Sequence, residues 1–207
     1  MDINEVFLRG EAVTAPSFTH TVGGRSFYGF RLSVKRLSGV ADVINVVTSC
    51  NDIEPFGLYE ITGSMRSRNT VDGDGRHLIL SVFASSLRPL PKEEFVGENT
   101  ILICGTLCKP PILRSTPLGR ELCDLLLAVR RPYGRADFLP LIAWGRNASI
   151  ASEFTVGSHL RCEGRIQSRE YVKRTEDGAE LLKTAYEVSL SRIDPTEDVS
   201  EDGESVL

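Results

Sequence analysis

The sequence predicts an all-β fold made of two tandem copies of one five-stranded unit. Its second half repeats its first half about 95 residues later, so that the run Phe30–Arg36 aligns with Leu125–Arg131. At the same spacing, Asp42 aligns with Asp137. The copies share apolar alternation, glycines and arginines, and such a repeat fixes the number of domains before any motif is considered. Short alternating segments separated by Gly, Pro and polar clusters are typical of β-barrels and sandwiches.

Five predicted strands recur in the same order in each repeat. In repeat one they are Val6–Val13, Arg25–Arg36, Val43–Ser49, Leu58–Arg68 and His77–Ser85. In repeat two they are Ile101–Leu107, Arg120–Arg131, Phe138–Trp144, Leu160–Arg169 and Lys183–Arg192. Between the third and fourth strands of repeat two, Asn147–Phe154 is predicted to be a short helix with Asn147 as its N-cap. The corresponding Asn51–Gly57 contains Pro55 and Gly57, so no helix is expected there.

Five strands with a helix between the third and fourth are the layout of the OB-fold, a partly open Greek-key barrel. Such barrels bind oligonucleotides on the face of strands 2 and 3 and with their 1–2 and 4–5 loops. The 1–2 loops are predicted at Thr14–Gly24 and Lys109–Gly119, and the 4–5 loops at Asn69–Arg76 and Glu170–Leu182. The predicted domains are a degenerate OB-fold domain (residues 1–88), a linker (89–98), a complete OB-fold domain (99–194) and a disordered acidic tail (195–207).

The net charge of −4 is unevenly distributed along the chain. Residues 1–90 carry nine basic and nine acidic side chains, whereas residues 99–195 carry 14 basic and 11 acidic ones. The excess acid lies in the linker and in the tail, whose five carboxylates have no basic neighbour. A block of like charge at a terminus is typical of a disordered interaction segment. Repeat two therefore has the net positive charge needed to bind a polyanion, although the whole chain is acidic.

Several classes of protein are not indicated. No run approaches the ~20 apolar residues that a membrane-spanning helix needs, and the first residues lack the basic and apolar regions of a signal peptide. Five cysteines, an odd number, suggest reduced thiols and a cytoplasmic location.

Motifs for catalysis or metal binding are also missing. No Gly-rich phosphate loop with Lys occurs, and the three histidines lie far apart in the sequence. Four cysteines could in principle hold zinc, namely Cys104, Cys108, Cys123 and Cys162, but they lack the usual CxxC spacing. We therefore expect buried thiols, and neither an enzyme, a metal site nor a cofactor.

Five stretches of repeat two form a recognisable pattern: Asn99–Gly105, Thr116–Arg120, Leu141–Ala148, Val156–Tyr171 and Tyr186–Val188. In these stretches repeat two resembles the bacterial single-stranded DNA-binding proteins. The stretches extend over about 95 residues, and the run Gly157–Tyr171 is their most specific part. Repeat one shares the frame but fewer of these residues. The chain is similar to family members that carry two OB domains in one polypeptide, and the related primosomal replication protein N is a close alternative.

This resemblance implies binding to single-stranded DNA without strong sequence preference, in replication, recombination or repair. It also implies a cytoplasmic, nucleoid-associated protein that forms a homodimer, because many members present four OB domains per assembly. The family's acidic tail recruits replication or repair proteins through a Pro-Phe end, whereas this chain ends in Val206-Leu207. A tail that only keeps the protein soluble remains the alternative.

Binding a strand without sequence preference requires a cationic groove for the backbone and aromatic faces for the bases. In the fourth strand of repeat two, alternation directs Leu160, Cys162 and Ile166 inward and the intervening arginines outward. Trp144 stands where the family carries a base-stacking aromatic residue, and Phe138 shares its face. The predicted DNA-binding residues of repeat two are Trp144, Phe138, Arg146, Arg161, Arg165, Arg169, Tyr171, Lys173, Arg120 and Arg130. Those of repeat one are Arg31, Lys35, Arg66 and Arg68.

Other interpretations of these residues stay open. A single Trp in a small β domain is often part of the core, and alternating arginines often form only a solvated surface. In repeat one, Ser49 occupies the position of Trp144. Phe27, Tyr28 and Phe56 are the aromatic residues that could replace it, although Tyr28 shares the inward alternation. We therefore expect repeat one to bind DNA weakly or to serve in assembly.

The second strand of repeat two carries apolar residues on both faces. Leu125, Leu127 and Val129 are expected to point inward, yet Leu122, Leu126 and Ala128 lie on the opposite face. Apolar residues on both faces predict that the outer face is covered, by the other repeat or by a second chain. The degenerate first repeat and the overall acidity of the chain keep a second function open: an OB-fold protein-interaction scaffold of a primosome or phage replication complex with only weak DNA contact.

Overall fold

The computed structural model describes residues 2–72, 75–92, 96–174 and 180–196. Repeat one contains β1 (Ile3–Ala12), β2 (Ser17–Val22), β3 (Arg25–Lys35), β4 (Ala41–Thr48), β5 (Leu58–Asp72) and β6 (Gly75–Pro89). Repeat two contains β7 (Glu98–Leu107), β8 (Ile112–Ser115), β9 (Glu121–Arg130), β10 (Ala136–Trp144), α1 (Arg146–Ser152), β11 (His159–Arg174) and β12 (Glu180–Pro195). A short 3-10 turn, Pro132–Gly134, lies between β9 and β10.

The strands form one continuous sheet in which the two repeats have mirrored strand orders. The order is β2-β3-β4-β6-β5-β1 and then β7-β11-β12-β10-β9-β8. Additional β1–β3 and β7–β9 pairings curl each half on itself, as expected for an OB-fold. The repeats join through antiparallel pairing of β1 with β7, in which Val6 lies opposite Ile101. Each repeat therefore covers an edge strand of the other, which removes an unpaired edge from both.

Alternating apolar side chains fill the interior of both repeats. The predicted inward residues that are buried are Phe30, Leu32 and Val34 on β3, Leu125, Leu127 and Val129 on β9, and Leu160, Cys162 and Ile166 on β11. On the outer face of β9, Leu122 is also buried, whereas Leu126 and Ala128 are half-buried. The outer face of β9 is thus covered in part.

Each predicted strand has a counterpart, but the prediction of loops between the first and second strands is wrong. The segment Thr14–Gly24 contains β2, which pairs with β3, and Lys109–Gly119 contains β8, which pairs with β9. Each half therefore has six strands among its described residues instead of the predicted five. Every side chain of β2 and β8 is exposed. Because neither strand buries a face, apolar alternation gives no signal for it.

The predicted loops between the fourth and fifth strands are largely strand as well. In repeat one β5 pairs with β6 as far as Asp72 opposite Gly75, and in repeat two β11 pairs with β12 as far as Arg174 opposite Glu180. We call these two long hairpins the β5–β6 arm and the β11–β12 arm. Their ends carry polar residues on both faces, so composition predicted loops where the ladder of backbone hydrogen bonds continues.

The helix of repeat two begins one residue earlier than predicted, and its N-cap differs. α1 is capped by Gly145, whose φ of 54° and ψ of −125° suit glycine. The Asn147 side chain does not cap the helix; its Nδ2 donates to the backbone oxygen of Ser191 on β12 at 3.0 Å. The segment Asn51–Gly57 has no helix, as predicted.

A buried aspartate of repeat two holds the β5–β6 arm of repeat one. The side chain of Asp137 is 1% exposed and accepts hydrogen bonds from Arg131 and, at 3.1 Å, from Arg66 Nη1. Asp137 Oδ1 also accepts the backbone N–H of Ser67 at 2.6 Å, and Ser67 Oγ accepts the N–H of Phe138 at 2.7 Å. Burial by itself would raise the pKa of Asp137, but these donors outweigh burial and lower the pKa below its usual range.

The equivalent aspartate of repeat one holds the β11–β12 arm in the same way. Asp42 Oδ2 accepts from Arg36 Nε at 2.7 Å and from Arg165 Nη1 at 3.0 Å. Asp42 Oδ1 accepts the N–H of Ser168 at 2.9 Å, and Ser168 Oγ accepts the N–H of Val43 at 2.8 Å. We call the two arrangements the aspartate clamps. Together with the β1–β7 pairing, they fix one repeat against the other.

Two predicted segments lie partly or wholly outside the described residues. Of the tail 195–207, only Pro195, which ends β12, and Thr196 are described; the Thr196 N–H donates to the His159 oxygen at 2.9 Å. Of the linker 89–98, residues 93–95 lie outside the description, and its two ends belong to β6 and β7. Among the described residues, no helix has the length and apolar character needed to cross a membrane.

Candidate functional site

Two exposed aromatic side chains lie on the outer face of β10. Phe138 is 45% exposed and Trp144 is 36% exposed, while the alternate residues Leu139, Leu141 and Ala143 are buried. Trp144 is the last residue of β10 and lies opposite Leu122 of β9. Phe138 lies near the beginning of β10 and Trp144 lies at its end. An extended ligand that runs along this face could therefore contact one ring at each end.

The turn after Trp144 is built for a sharp change of direction. Gly145 has a positive φ, and its N–H donates to the Glu121 oxygen at 2.9 Å, which ties the turn to β9. The turn places Arg146 at the first position of α1, where its side chain is exposed. An aromatic ring and a guanidinium group therefore follow each other at the same rim of the sheet.

Most predicted basic residues of repeat two are exposed. Arg120, Arg130, Arg146 and Arg169 are exposed, and Tyr171 on the β11–β12 arm is 38% exposed. The side chain of Lys173 lies outside the described residues, although its backbone belongs to β11. These groups surround the outer face of β9 and β10 at its rim and along the arm.

Three predicted arginines are engaged by carboxylates. Arg165 and Arg66 are partners of the aspartate clamps, with side chains 35% and 30% exposed. Arg161 Nη2 lies 3.2 Å from Glu163 Oε1. Arg161 also lies opposite Cys104 of β7, and β12 separates its strand from β10. These positions give Arg66 and Arg165 a role in holding the repeats together, and they set Arg161 apart from the two exposed rings.

Sequence reasoning missed two carboxylates on the same outer face. Asp124 on β9 accepts from Arg114 Nε at 2.6 Å and from Arg114 Nη2 at 3.0 Å. Glu187 on β12 accepts from Gln167 Nε2 at 3.2 Å. Because Leu141 lies opposite Val188, Glu187 lies beside Pro140, between the two rings. Alternation on β9 could have placed Asp124 on this face, whereas the parallel β10–β12 pairing that places Glu187 leaves no local signal.

The electrostatics of this face centre on Glu187. Burial raises the pKa of Glu187 above its usual range, and the charge of Asp124 adds to this effect. Arg169 and Arg114 oppose the shift without cancelling it. A half-buried carboxylate with a raised pKa thus lies on β12, on the same outer face as the aromatic rings of β10.

Repeat one presents basic residues but a different aromatic arrangement. Arg31, Lys35 and Arg68 are exposed, as predicted. The position of Trp144 is taken by Ser49, whose Oγ accepts a hydrogen bond from Arg25 Nη2 at 2.6 Å. Phe56 is 71% exposed in the turn before β5, and Tyr28 is half-buried.

The cysteines form no metal site among the described residues, where no group of three or more His, Cys, Asp or Glu could hold an ion. Cys104, Cys123 and Cys162 are buried, while Cys50 and Cys108 are half-buried. Burial raises the pKa of the Cys162 thiol to about 12. Thiols with raised pKa values are poor nucleophiles and poor metal ligands.

Comparison with known proteins finds similarity to one family in the second half of the chain. The model of the single-strand binding protein family matches residues 98–195. The single-stranded DNA-binding protein of Clostridium tetani is 36% identical over 93 residues, which cover 42% of this chain and 63% of that protein. That of Halalkalibacterium halodurans is 35% identical over 80 residues, which cover 35% of this chain and 48% of that protein. The chain therefore spans about half to two thirds of the length of these relatives.

A solved structure resembles the whole chain. The wild-type single-stranded DNA binding protein from Thermus aquaticus superposes with a TM-score of 0.75 at 25% identity, and the match covers 95% of this chain and 94% of that chain. A deletion mutant of the same protein gives a TM-score of 0.76, with 97% and 98% covered. The likeness thus extends through both repeats, beyond the half that the sequence relatives match.

Proposed function

We propose that this chain, whose residues 98–195 match the single-strand binding protein family, binds single-stranded DNA without strong sequence preference and protects it during replication, recombination or repair. The observation that carries this proposal is the pair of exposed rings on β10, 36% exposed at Trp144 and 45% at Phe138. Large aromatic side chains usually pack inside a small β domain. Two of them on one outer face, with exposed arginines around them, suit bases and phosphates.

In the proposed complex, bases stack on Trp144 and Phe138, and a further base stacks on Tyr171. Stacking on one aromatic side chain contributes about 1–3 kcal/mol per base. Arg146, Arg169, Arg120 and Arg130 neutralise phosphates, and Lys173 extends this set along the arm. From repeat one, Arg31, Lys35 and Arg68 continue the basic path. Arg66, Arg165 and Arg161 contribute less, because carboxylates already hold their guanidinium groups.

The proposal includes the organisation of the chain. Residues 1–88 and 99–194 act as two OB-fold domains joined by residues 89–98, and two chains form a homodimer with four such domains. The acidic residues 195–207 recruit replication or repair proteins, or serve only solubility. The protein works in the cytoplasm, associated with the nucleoid. The alternative of a scaffold with weak DNA contact has less support, since a scaffold does not need exposed rings beside arginines.

The test uses the single tryptophan as a reporter. The full chain is titrated with oligo-dT at low and moderate salt while Trp144 emission and the anisotropy of labelled oligonucleotide are followed. We expect strong quenching, and a slope of log K against log salt of roughly −3.5 to −5.6, because each phosphate neutralised on a single strand contributes about −0.7 and the proposal assigns five to eight basic residues to phosphates. No binding at ~50 mM salt, or a slope near zero, would contradict the proposal and favour the scaffold.

A further inference from the structure

Repeat one carries a cluster of three aromatic rings on its outer face. The ring of His20 on β2 stacks on Phe27 of β3, with centroids 5.0 Å apart and planes 14° apart. Phe27 also contacts Phe83 of β6, with ring centroids 5.3 Å apart and an angle of 43° between the ring planes. Phe27 lies on the face opposite to the buried Phe30, and Phe83 on the face opposite to the buried Val82. We call this set the repeat-one aromatic cluster.

The cluster occupies the place that corresponds to Trp144. In repeat two Trp144 lies opposite Leu122 across the β9–β10 ladder. In repeat one Tyr28 lies opposite Thr48, so the next position places Phe27 opposite Ser49. By the repeat spacing Phe27 corresponds to Leu122 and Ser49 to Trp144. In repeat two the aromatic residue of this pair is on β10 (Trp144), and in repeat one it is on β3 (Phe27). Each repeat therefore has one aromatic ring at this point of the outer face.

A cleft beside the cluster is open to a ligand. Its volume is about 280 Å³, and its lining includes Phe27, Phe83, Ser49 and Arg25. Arg25 is exposed and projects into it by donating to Ser49 Oγ. His20 is exposed on the edge strand β2, with its Nδ1 2.9 Å from Thr19 Oγ1, and its ring forms the outer layer of the stack on Phe27. Flat rings beside an exposed guanidinium group are the arrangement that accepts unpaired bases and a phosphate.

We infer that repeat one contains a second base-stacking site, in which Phe27 and Phe83 hold an unpaired nucleobase and Arg25 contacts its phosphate. The site rests on the proposed function, since the same DNA strand would have to reach it from repeat two. Of the three aromatic residues of repeat one that could replace Trp144, it selects Phe27. A strand long enough to span both repeats then gains stacking at both, whereas a short one uses only one of them.

The decisive experiment moves the tryptophan. In the full chain, Trp144→Phe removes the native reporter, and Phe27→Trp places a single tryptophan in the cluster. We expect oligo-dT to quench this emission, with reversal by salt. The matched control combines Trp144→Phe with Phe18→Trp, because Phe18 is 63% exposed on β2 but lies opposite Tyr28, on the other face. Its emission should stay unchanged.

The outcomes separate the inference from the proposed function. Unchanged Phe27→Trp emission, while anisotropy shows that the same variant binds oligo-dT, would overturn the repeat-one site and leave the proposed function intact. Absence of binding by the unmodified chain would overturn both.

A second variant, Phe27→Leu, installs the residue that repeat two has at this position and keeps Trp144. We expect at least about fivefold weaker binding of a long oligonucleotide, since a lost stack costs at least about that much. Unchanged affinity would contradict the inference.

Discussion

Trp144 lies on the outer face at the end of β10, immediately before the turn at Gly145, and 36% of the residue is exposed. We predict that Trp144→Ala weakens oligo-dT binding by about 1–3 kcal/mol, the contribution of one stacked base. Stability should fall by less than a buried Trp→Ala change would cost, about 3–5 kcal/mol. Anisotropy and urea unfolding measure the two effects. Val96→Ala, at a residue 71% exposed between the repeats, is the control and should change neither.

Glu187 places a carboxylate between the two rings where a phosphate backbone would pass. Its pKa is raised by burial, so protonation is easier than for an ordinary Glu. The negative phosphates of DNA favour the neutral form of Glu187. Glu187 therefore takes up a proton in the complex as the pH falls through this raised pKa. We predict stronger binding as pH falls in the range above about 4.5, where an ordinary Glu is still ionised.

The variant Glu187→Gln removes this dependence. At pH 7 it should bind oligo-dT roughly twofold to fivefold more tightly, the effect of removing one partly screened like charge. Its affinity should then vary less with pH than that of the unmodified chain. Titrations between pH 5 and 8 provide the measurement, with Glu54→Gln, an exposed carboxylate of repeat one, as control. Equal pH profiles for Glu187→Gln and the unmodified chain would refute this role.

Among the elements, the two arms depend on the aspartate clamps. The pKa of Asp137 is lowered in the folded chain, so its stabilising effect is complete above the unfolded pKa of about 3.9 and disappears as pH falls through the lower folded value. We predict that Asp137→Asn lowers the free energy of unfolding at pH 7 by about 3 kcal/mol, because it leaves two guanidinium groups without their buried partner. The exposed Asp52→Asn should cost little.

Urea unfolding at two pH values checks this clamp. The difference between Asp137→Asn and the unmodified chain should shrink as pH falls below about 4, where the native aspartate also becomes protonated. A difference that stays constant with pH would mean that packing, and not the carboxylate charge, stabilises the arm.

The strands that bury a face could be predicted from the sequence, because alternation reports burial. β2, β8 and the ends of the arms bury no face, and they were expected as loops. The repeat alignment contained the clamps without revealing them: Asp42 and Asp137 recur, as do Ser67 and Ser168. Their recurrence in both repeats indicated a shared role. Their hydrogen-bond partners lie in the other repeat, however, and no local sequence pattern encodes a contact between the two repeats. Position and alternation along one strand predicted the outer face for Trp144, whereas Glu187 was missed because the parallel β10–β12 pairing that brings it to this face leaves no local signal.

The recurring glycines at the junction of strands have a physical cause that applies to both repeats. A Cβ on Gly63 would lie 2.3 Å from the oxygen of Phe83, and one on Gly164 would lie 2.3 Å from that of Ser189. Both positions adjoin the irregularity at which β5 meets β6 and β11 meets β12. Close backbone approach therefore explains the glycine that aligns at the start of each arm.

At the scale of the whole molecule, the outer face of the β1–β7 junction is suited to a second copy. Ile3, Phe7 and Leu102 are apolar and half-buried there, although the residues of these strands that fill the core lie on the opposite face. A cleft of about 520 Å³ at this junction is lined by equivalent residues of both repeats, among them Gly63 and Gly164. A face with this internal symmetry can pair with itself, as a twofold dimer requires.

We predict that the full chain elutes as a dimer in size-exclusion chromatography. Light scattering should then give twice the 22.8 kDa mass of one chain. Leu102→Arg should give the monomer, because it puts a long charged side chain, opposite Glu5, on the face that the second copy would cover and desolvate. The matched variant Leu37→Arg, at a fully exposed residue between β3 and β4, should remain dimeric. If the unmodified chain is already monomeric at micromolar concentration, this face has no self-association role. Single-strand binding would then depend on the two repeats of one chain, and the oligonucleotide length at which affinity saturates should be the same for Leu102→Arg and the unmodified protein.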